Sequence, residues 1–153
     1  GLLMGILRGL ERAGWEDVPV LCCETEGAAS MAASLNAGKL VTIDGINSVA
    51  KSLGAVRVSE PIYDKCAALG PSKVRSHVMS DRDAVDACAQ FARDHRGLVE
   101  PACGAALSAV YHQAADLEGI TGPVVVEVCG GGIVDGGLLA KYCTDFGVQA
   151  SWL

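Results

Sequence analysis

Val18-Pro19-Val20-Leu21-Cys22-Cys23-Glu24-Thr25-Glu26-Gly27 is the stretch on which the fold turns. Its first six residues are apolar on both faces, short, and bounded by the Trp15-Glu16-Asp17 turn before and Gly27 after. That pattern predicts a strand buried on both sides, the kind found in parallel sheets covered by helices. Upstream, Leu2, Leu3, Ile6, Leu7 and Leu10 recur at helical spacing opposite Arg8, Glu11 and Arg12, and Gly14 supplies a stop. Gly5 and Gly9 weaken that helix, so a closely packed neighbour is expected against them. Downstream, Gly27 to Asn36 reads as a helix ended by Gly38, Val41 to Ile43 as a short extended piece, and Ile46 to Leu53 as a helix closed by Gly54.

The alternation continues. Ile62 to Leu69 is helical and stops at Gly70-Pro71, and Ser76 to Met79 is a weak strand. Ser80-Asp-Arg-Asp83 has the form of a capping box, with Asp83 where Glu or Gln is commoner. Behind it Ala84, Val85, Cys88, Phe91 and Ala92 share one apolar face. Pro101 suits the first position of a helix running to about Leu117. Val124-Val-Val-Glu-Val128 has the strongest strand signal in the chain, Gly130-Gly131-Gly132 turns after it, and Leu138 to Asp145 forms a last helix. The prediction is an α/β fold of three layers, a mainly parallel sheet flanked by helices. The chain opens directly on a helix with no strand to feed it, which reads as the back part of a larger fold.

With 153 residues there is length for one domain. Twelve Lys and Arg against 18 Asp and Glu give a net charge of −6, and no basic stripe argues for nucleic acid. No apolar run reaches the length of a bilayer span, so no membrane role is expected. Seven cysteines at irregular spacing, without a CxxC pair, predict buried reduced thiols of a cytoplasmic protein rather than disulfides or a zinc site. His77, His95 and His112 are read as surface or packing residues.

Three places could carry chemistry. A helix start after Gly1 presents free N–H groups to an anion. Glu24-Thr25-Glu26-Gly27 lies at the carboxyl end of a strand, where a ligand amine or cation could meet carboxylates; on the physics of the segment alone, two solvated acids near a helix start are the favoured account. Val128-Cys129-Gly130-Gly131-Gly132 delivers a thiol and a close-approaching backbone to a strand end, or is a buried cysteine and a flexible turn. The glycines do not match a dinucleotide fingerprint, and no Walker lysine, GxSxG, HExxH or Ser–His–Asp arrangement is present.

In combination these segments resemble the L-serine dehydratases (L-serine ammonia-lyases) and L-threonine dehydratases, pyridoxal-phosphate enzymes of the tryptophan-synthase-β fold type. The resemblance rests on Gly1-Leu-Leu-Met-Gly-Ile6, Gly14-Trp-Glu-Asp-Val-Pro-Val20, Glu24-Thr-Glu-Gly27, Gly38-Lys-Leu-Val41, Ser48-Val-Ala-Lys-Ser-Leu-Gly54, Leu98-Val-Glu-Pro-Ala-Cys-Gly-Ala-Ala-Leu107 and Val128-Cys-Gly-Gly131, in the family's order. It makes residues 1–153 the C-terminal part of the catalytic domain, recognisable to about residue 131, with 132–153 a divergent tail. Cys103 and Cys129 resemble the serine dehydratase branch, where threonine dehydratases and serine racemases tend to have serine.

The resemblance also implies roles. Gly1 matches the last glycine of the loop that holds the cofactor phosphate, and Cys129, with Gly130 after it, faces the pyridine nitrogen. Glu24 and the carbonyls of Ala28, Leu53 and Ala55 match a monovalent cation site, expected to hold potassium. Ser52 falls beside the substrate pocket. The implied reaction takes L-serine to pyruvate and ammonia and L-threonine to 2-oxobutanoate, in a cytoplasmic homodimer. The family's Schiff-base lysine, in a Ser-x-Lys context, has no counterpart: Lys39, Lys51, Lys65, Lys73 and Lys141 are on other segments. The 153-residue chain alone is therefore expected to be inactive. Two alternatives stand beside this, a non-catalytic product that binds a full-length paralogue and a serine racemase-like enzyme. Glu127, in the apolar run, needs a partner, solvent or a proton.

Overall fold

The computed structural model describes residues 1–150. Helix α1 (Leu2–Ala13) ends as the sequence predicts, with Gly14 at φ 70° and its N–H returned to the last turn. Strand β1 (Val20–Thr25) follows, then a 3₁₀ turn over Glu26–Ala28 and helix α2 (Ser30–Ala37), closed by Gly38 at φ 62°. Helix α3 (Glu60–Leu69) leads to strand β2 (Val74–Met79). Helix α4 (Asp81–His95) is capped by Ser80, whose Oγ accepts the Asp83 N–H. Helix α5 (Pro101–Tyr111) and helix α6 (Gly136–Asp145) complete the chain's α-helices among the described residues.

β1 and β2 pair in parallel, from Val20 opposite Val74 to Thr25 opposite Met79. A parallel pair needs a long crossover, and α2 and α3 supply it. Side chains alternate between the two faces of the pair. Val20, Cys22 and Val74 pack with Leu7, Met31, Ile62 and Cys66 from α1, α2 and α3. On the other face α5 packs across both strands and α4 lies against α5. A second core there joins Val85, Cys88, Cys103, Leu107, Leu139 and Cys143 of α4, α5 and α6. Helices on both faces of a parallel pair give the expected three layers.

Five expectations are corrected. Val124–Val128 forms no strand. Its side chains do alternate, with Val126 and Val128 packed on the α4–α5–α6 core and Val125 92% exposed, but no ladder partner lies beside it among the described residues. Val41–Ile43 likewise forms no strand, although Ile43 N–H reaches the Val56 carbonyl at 2.8 Å. The helix expected over Ile46–Leu53 shrinks to one 3₁₀ turn, Lys51–Leu53, and that expected to Leu117 ends at Tyr111 with a separate 3₁₀ turn at Ala115–Leu117. Gly5 and Gly9 meet no close neighbour, since a Cβ at either would find nothing within 4 Å.

All seven cysteines are free, and Cys66, Cys88, Cys103 and Cys143 are buried. Cys129 is exposed instead. Of the histidines, His77 Nδ1 meets Asp116 at 3.0 Å, His112 Nε2 meets Asp86 at 2.7 Å, and His95 stacks on Phe91. No helix among the described residues is long and apolar enough to cross a membrane.

Candidate cofactor and cation sites

Glu24 is the penultimate residue of β1, on the α2 side of the sheet. Its carboxylate accepts the Met31 N–H (2.9 Å) and Ala32 N–H (2.8 Å) in the first turn of α2, and the Ser76 hydroxyl of β2 at 3.2 Å. The orphan donors of a helix start and its positive dipole end explain why a buried carboxylate is stable there. A carboxylate offers about four lone-pair directions, so three donors leave it capacity for one further partner. Ala28 is buried in the turn that follows. Leu53 and Ala55 lie at the end of the Lys51–Leu53 turn, where the Leu53 carbonyl accepts the Ala55 N–H at 2.9 Å. Ser52 is exposed on that turn. Among the described residues no group of three or more His, Cys, Asp and Glu side chains could hold a metal ion.

The turn carrying Ser52 and Leu53 is tied to the sheet by groups that sequence inspection missed. Asn47 N–H donates to the Gly27 carbonyl at 2.9 Å, and a Cβ on Gly27 would fall 1.7 Å from the Asn47 carbonyl oxygen. Only glycine permits that approach. Next to it, Ser48, Thr25 and Asp81 form a buried polar chain joining the loop to β1 and to α4. Nothing local in the sequence marks these contacts, because the partners stand 23 and 33 residues apart.

Cys129 stands at the end of the extended segment that α5 supports. Gly130 is held from three directions: its carbonyl accepts the Glu100 N–H (2.9 Å) and the Cys103 thiol (3.5 Å), and its own N–H donates to Cys103 Sγ at 3.1 Å. Gly130 and Gly131 have φ values of 90° and 92°, a region open chiefly to glycine. Gly131 also runs so close to the buried Glu100 that a Cβ would lie 2.3 Å from its carboxyl carbon. The Cys129 thiol is left exposed and donates to the Glu127 carboxylate at 3.5 Å. Partial desolvation first, and that carboxylate second, push the Cys129 thiol up, so it stays protonated at neutral pH. Glu127 is therefore exposed and partnered, which resolves the cost of a carboxylate in an apolar run.

Gly1 is the exposed N-cap of α1, which has no side-chain cap. Three of the five lysines are in ion pairs, Lys65 with Glu11, Lys73 with Asp17 and Lys141 with Asp145. Two clefts of about 660 and 470 Å³ share Glu26, Gly27 and Asn47 in their walls. None of Gly1, Ser52, Cys129 or Gly130 lines either.

Residues 1–130 match the family described as pyridoxal-phosphate dependent enzyme. A human serine dehydratase-like protein is 43% identical over 154 residues, spanning 96% of this chain and 46% of that protein. The L-serine dehydratase/L-threonine deaminase of Bos taurus is 45% identical over 141 residues, spanning 86% of this chain and 41% of its own length. A solved fungal L-serine ammonia-lyase from Rhizomucor miehei superposes with a TM-score of 0.85 at 38% identity, over 95% of this chain and 47% of that one. The processed threonine deaminase isoform 2 of Solanum lycopersicum, at 19% identity and a TM-score of 0.66, shares the fold. The chain thus spans less than half the length of these relatives. Matched over most of its length by the family model, and sharing both sequence and fold with these proteins, it belongs to the pyridoxal-phosphate-dependent enzymes.

Proposed function

We propose that this chain supplies the ring-nitrogen, phosphate and cation contacts of a pyridoxal-phosphate-dependent L-serine/L-threonine dehydratase. The observation that carries the reading is the Cys129-Gly130-Gly131 corner. It offers an exposed, protonated thiol on a backbone locked by Glu100 and Cys103. A neutral thiol is a weak hydrogen-bond partner for a pyridine nitrogen and does not hold a proton on it as a carboxylate would. Pyridoxal phosphate, when bound, supplies an electron sink for α-proton removal and loss of the β-hydroxyl. Cys129 keeps that sink moderate, which suits elimination to pyruvate and ammonia, or to 2-oxobutanoate and ammonia from threonine. Gly1 opens a helix whose first N–H groups and dipole favour the phosphate.

Glu24, with the carbonyls of Ala28, Leu53 and Ala55, is proposed to hold a potassium ion. Oxygen donors suit such a hard cation, and Glu24 retains one acceptor direction. Ser52 then lies beside the substrate. The homodimer and the cytoplasmic setting belong to the same proposal.

The test is complementation. The 153-residue chain with pyridoxal phosphate and L-serine is expected to form no pyruvate. Co-expressed with the part of the human serine dehydratase-like protein that it does not span, it should take up cofactor and release pyruvate and ammonia. Turnover by the chain alone, surviving replacement of each lysine by arginine, would overturn the requirement for a lysine from elsewhere. A second reading is a non-catalytic product that binds a full-length paralogue, which the exposed Leu2, Val125 and Ile133 favour. A stable complex that takes up cofactor and makes no product would put that reading first. Formation of D-serine in a chiral assay of an active complex would redirect the assignment to racemisation.

A further inference from the structure

We infer that Asp81 is a positioning residue that sets the Lys51–Leu53 turn, and with it Ser52 and the Leu53 carbonyl, through a directed hydrogen-bond chain. The inference rests on the reading that Ser52 borders the substrate and Leu53 the cation. Asp81 is the first residue of α4, and its carboxylate is filled by two donors from the loop before the turn. Ser48 O–H donates to Oδ1 at 2.5 Å, and Val49 N–H donates to Oδ2 at 3.0 Å. Ser48 Oγ also receives the Ala50 N–H at 2.9 Å and lies 2.8 Å from Thr25 Oγ1.

Proton counting gives the chain its direction. Ser48 has one hydroxyl proton, and an ionised carboxylate can only accept it. The Thr25 hydroxyl must therefore be the donor toward Ser48. Ser48 then accepts twice and donates once, which exhausts its capacity. Thr25 and Ser48 are buried, so a break leaves polar groups unpaired away from water, and such groups are costly. The carboxylate form is required at Asp81. An asparagine can keep Val49 N–H on its oxygen only by turning its N–H₂ to Ser48, whose hydroxyl must then reverse and donate to Thr25, leaving the buried Thr25 hydroxyl proton without its acceptor. The negative charge is itself favoured at the start of a 15-residue helix.

Two neighbouring contacts do not pass through the Asp81 carboxylate. Asn47 remains pinned to Gly27 on one side, and α4 keeps its cap from Ser80. Asp81 fixes by hydrogen bonds the course of Ser48 to Ala50 into the turn carrying Ser52 and Leu53, beside the packing of Val49 on the α4–α5–α6 core and the burial of Ala50.

The experiment is amide hydrogen exchange on the 153-residue chain, comparing the wild type with Asp81→Asn and with Ser48→Ala as an independent break in the same chain. Exchange at Val49 to Leu53 should accelerate by about tenfold or more, the usual worth of a hydrogen bond to a charged group, while α5 and α6 keep their protection. Unchanged exchange at Val49 to Leu53 in both variants overturns the inference. A rise spread evenly over all helices does so too, because it reports lost stability and not lost positioning. In the complemented complex, Asp81→Asn should raise KM for L-serine with the cofactor spectrum preserved. A loosened turn with unchanged KM would uphold the role of Asp81 and sink the placement of Ser52 beside the substrate.

Discussion

Gly104→Ala tests the packing on which the Cys129 corner depends. Gly104 lies in α5 where that helix crosses α4, and a Cβ there would stand 2.1 Å from the Ala84 carbonyl oxygen and 2.7 Å from Cys88 Sγ. To reach the 3.4 Å of ordinary contact, the two helices must separate by about 1.3 Å. Backbone is the obstacle, so no rotamer change relieves it. Ala84, Val85, Ala87 and Cys88 are all fully buried, and separation opens their contacts as well. Overpacking of this kind costs about 1–3 kcal/mol, with backbone clashes at the upper end. Replacing a helical glycine by alanine returns about 1 kcal/mol. The expected net loss is about 2 kcal/mol, a fall in Tm of roughly 4–8 °C for a chain of this size. Gly9→Ala is the control: α1 has open space there, so it should gain about 0.5–1 kcal/mol. Urea titrations of both variants followed by circular dichroism would measure the difference. A Gly104→Ala chain as stable as the wild type would refute the close crossing of α4 and α5, and with it the seat of Glu100 and Cys103 against Gly130.

Gly131→Ala should lose about 1–3 kcal/mol in the same titration, mainly from a non-glycine residue held at φ 92°. Gly132→Ala, which meets no neighbour, should be close to neutral, and equal effects would show that the corner is not strained. Burial pushes the Cys88 thiol from an ordinary value near 9 up to about 12, and burial likewise raises Cys22 to about 12. A thiol raised on folding contributes stability that is complete below pH 9 and lost as pH climbs toward 12. The urea midpoint should therefore fall from pH 9 to pH 11, and fall less steeply in Cys88→Ala; parallel slopes would remove Cys88 from the alkaline transition. In the complemented complex, Cys129→Asp should hold a proton on the pyridine nitrogen and shift the cofactor absorbance. An unchanged spectrum and rate would remove Cys129 from the ring nitrogen.

Several helix boundaries were legible because their signals are local, whereas those expected for Ile46–Leu53 and at Leu117 were not borne out. Gly14, Gly38 and Gly70 each adopt the positive φ that a chain reversal needs, and Ser80 caps α4 through Asp83 three residues on. The strand at Val20–Thr25 was legible from its double-sided apolar run, as was the flanking by helices. Val124–Val128 shows the limit of that signal. Alternation in the structure turns Val126 and Val128 inward, but a strand also needs hydrogen bonds from a neighbour that no pattern within the segment supplies. The expectation of a burying partner at Gly5 and Gly9 failed for the same reason, since low helix propensity does not specify what packs against it.

Family membership was legible from short motifs in a fixed order, and Glu24 near the end of β1 and Cys129 at the end of an extended segment stood out by residue type. Glycine flanks, capping residues and apolar periodicity act over a few residues, so sequence alone determined most of the helices, the strand at Val20–Thr25 and the layered α/β class. Tertiary structure decided that Glu24 turns its carboxylate onto the start of α2, that Cys103 clasps both polar groups of Gly130, and that Asp81 reaches back to Ser48. Each is a contact between groups distant in the chain, selected by the need to satisfy polar atoms only after packing has taken them out of water.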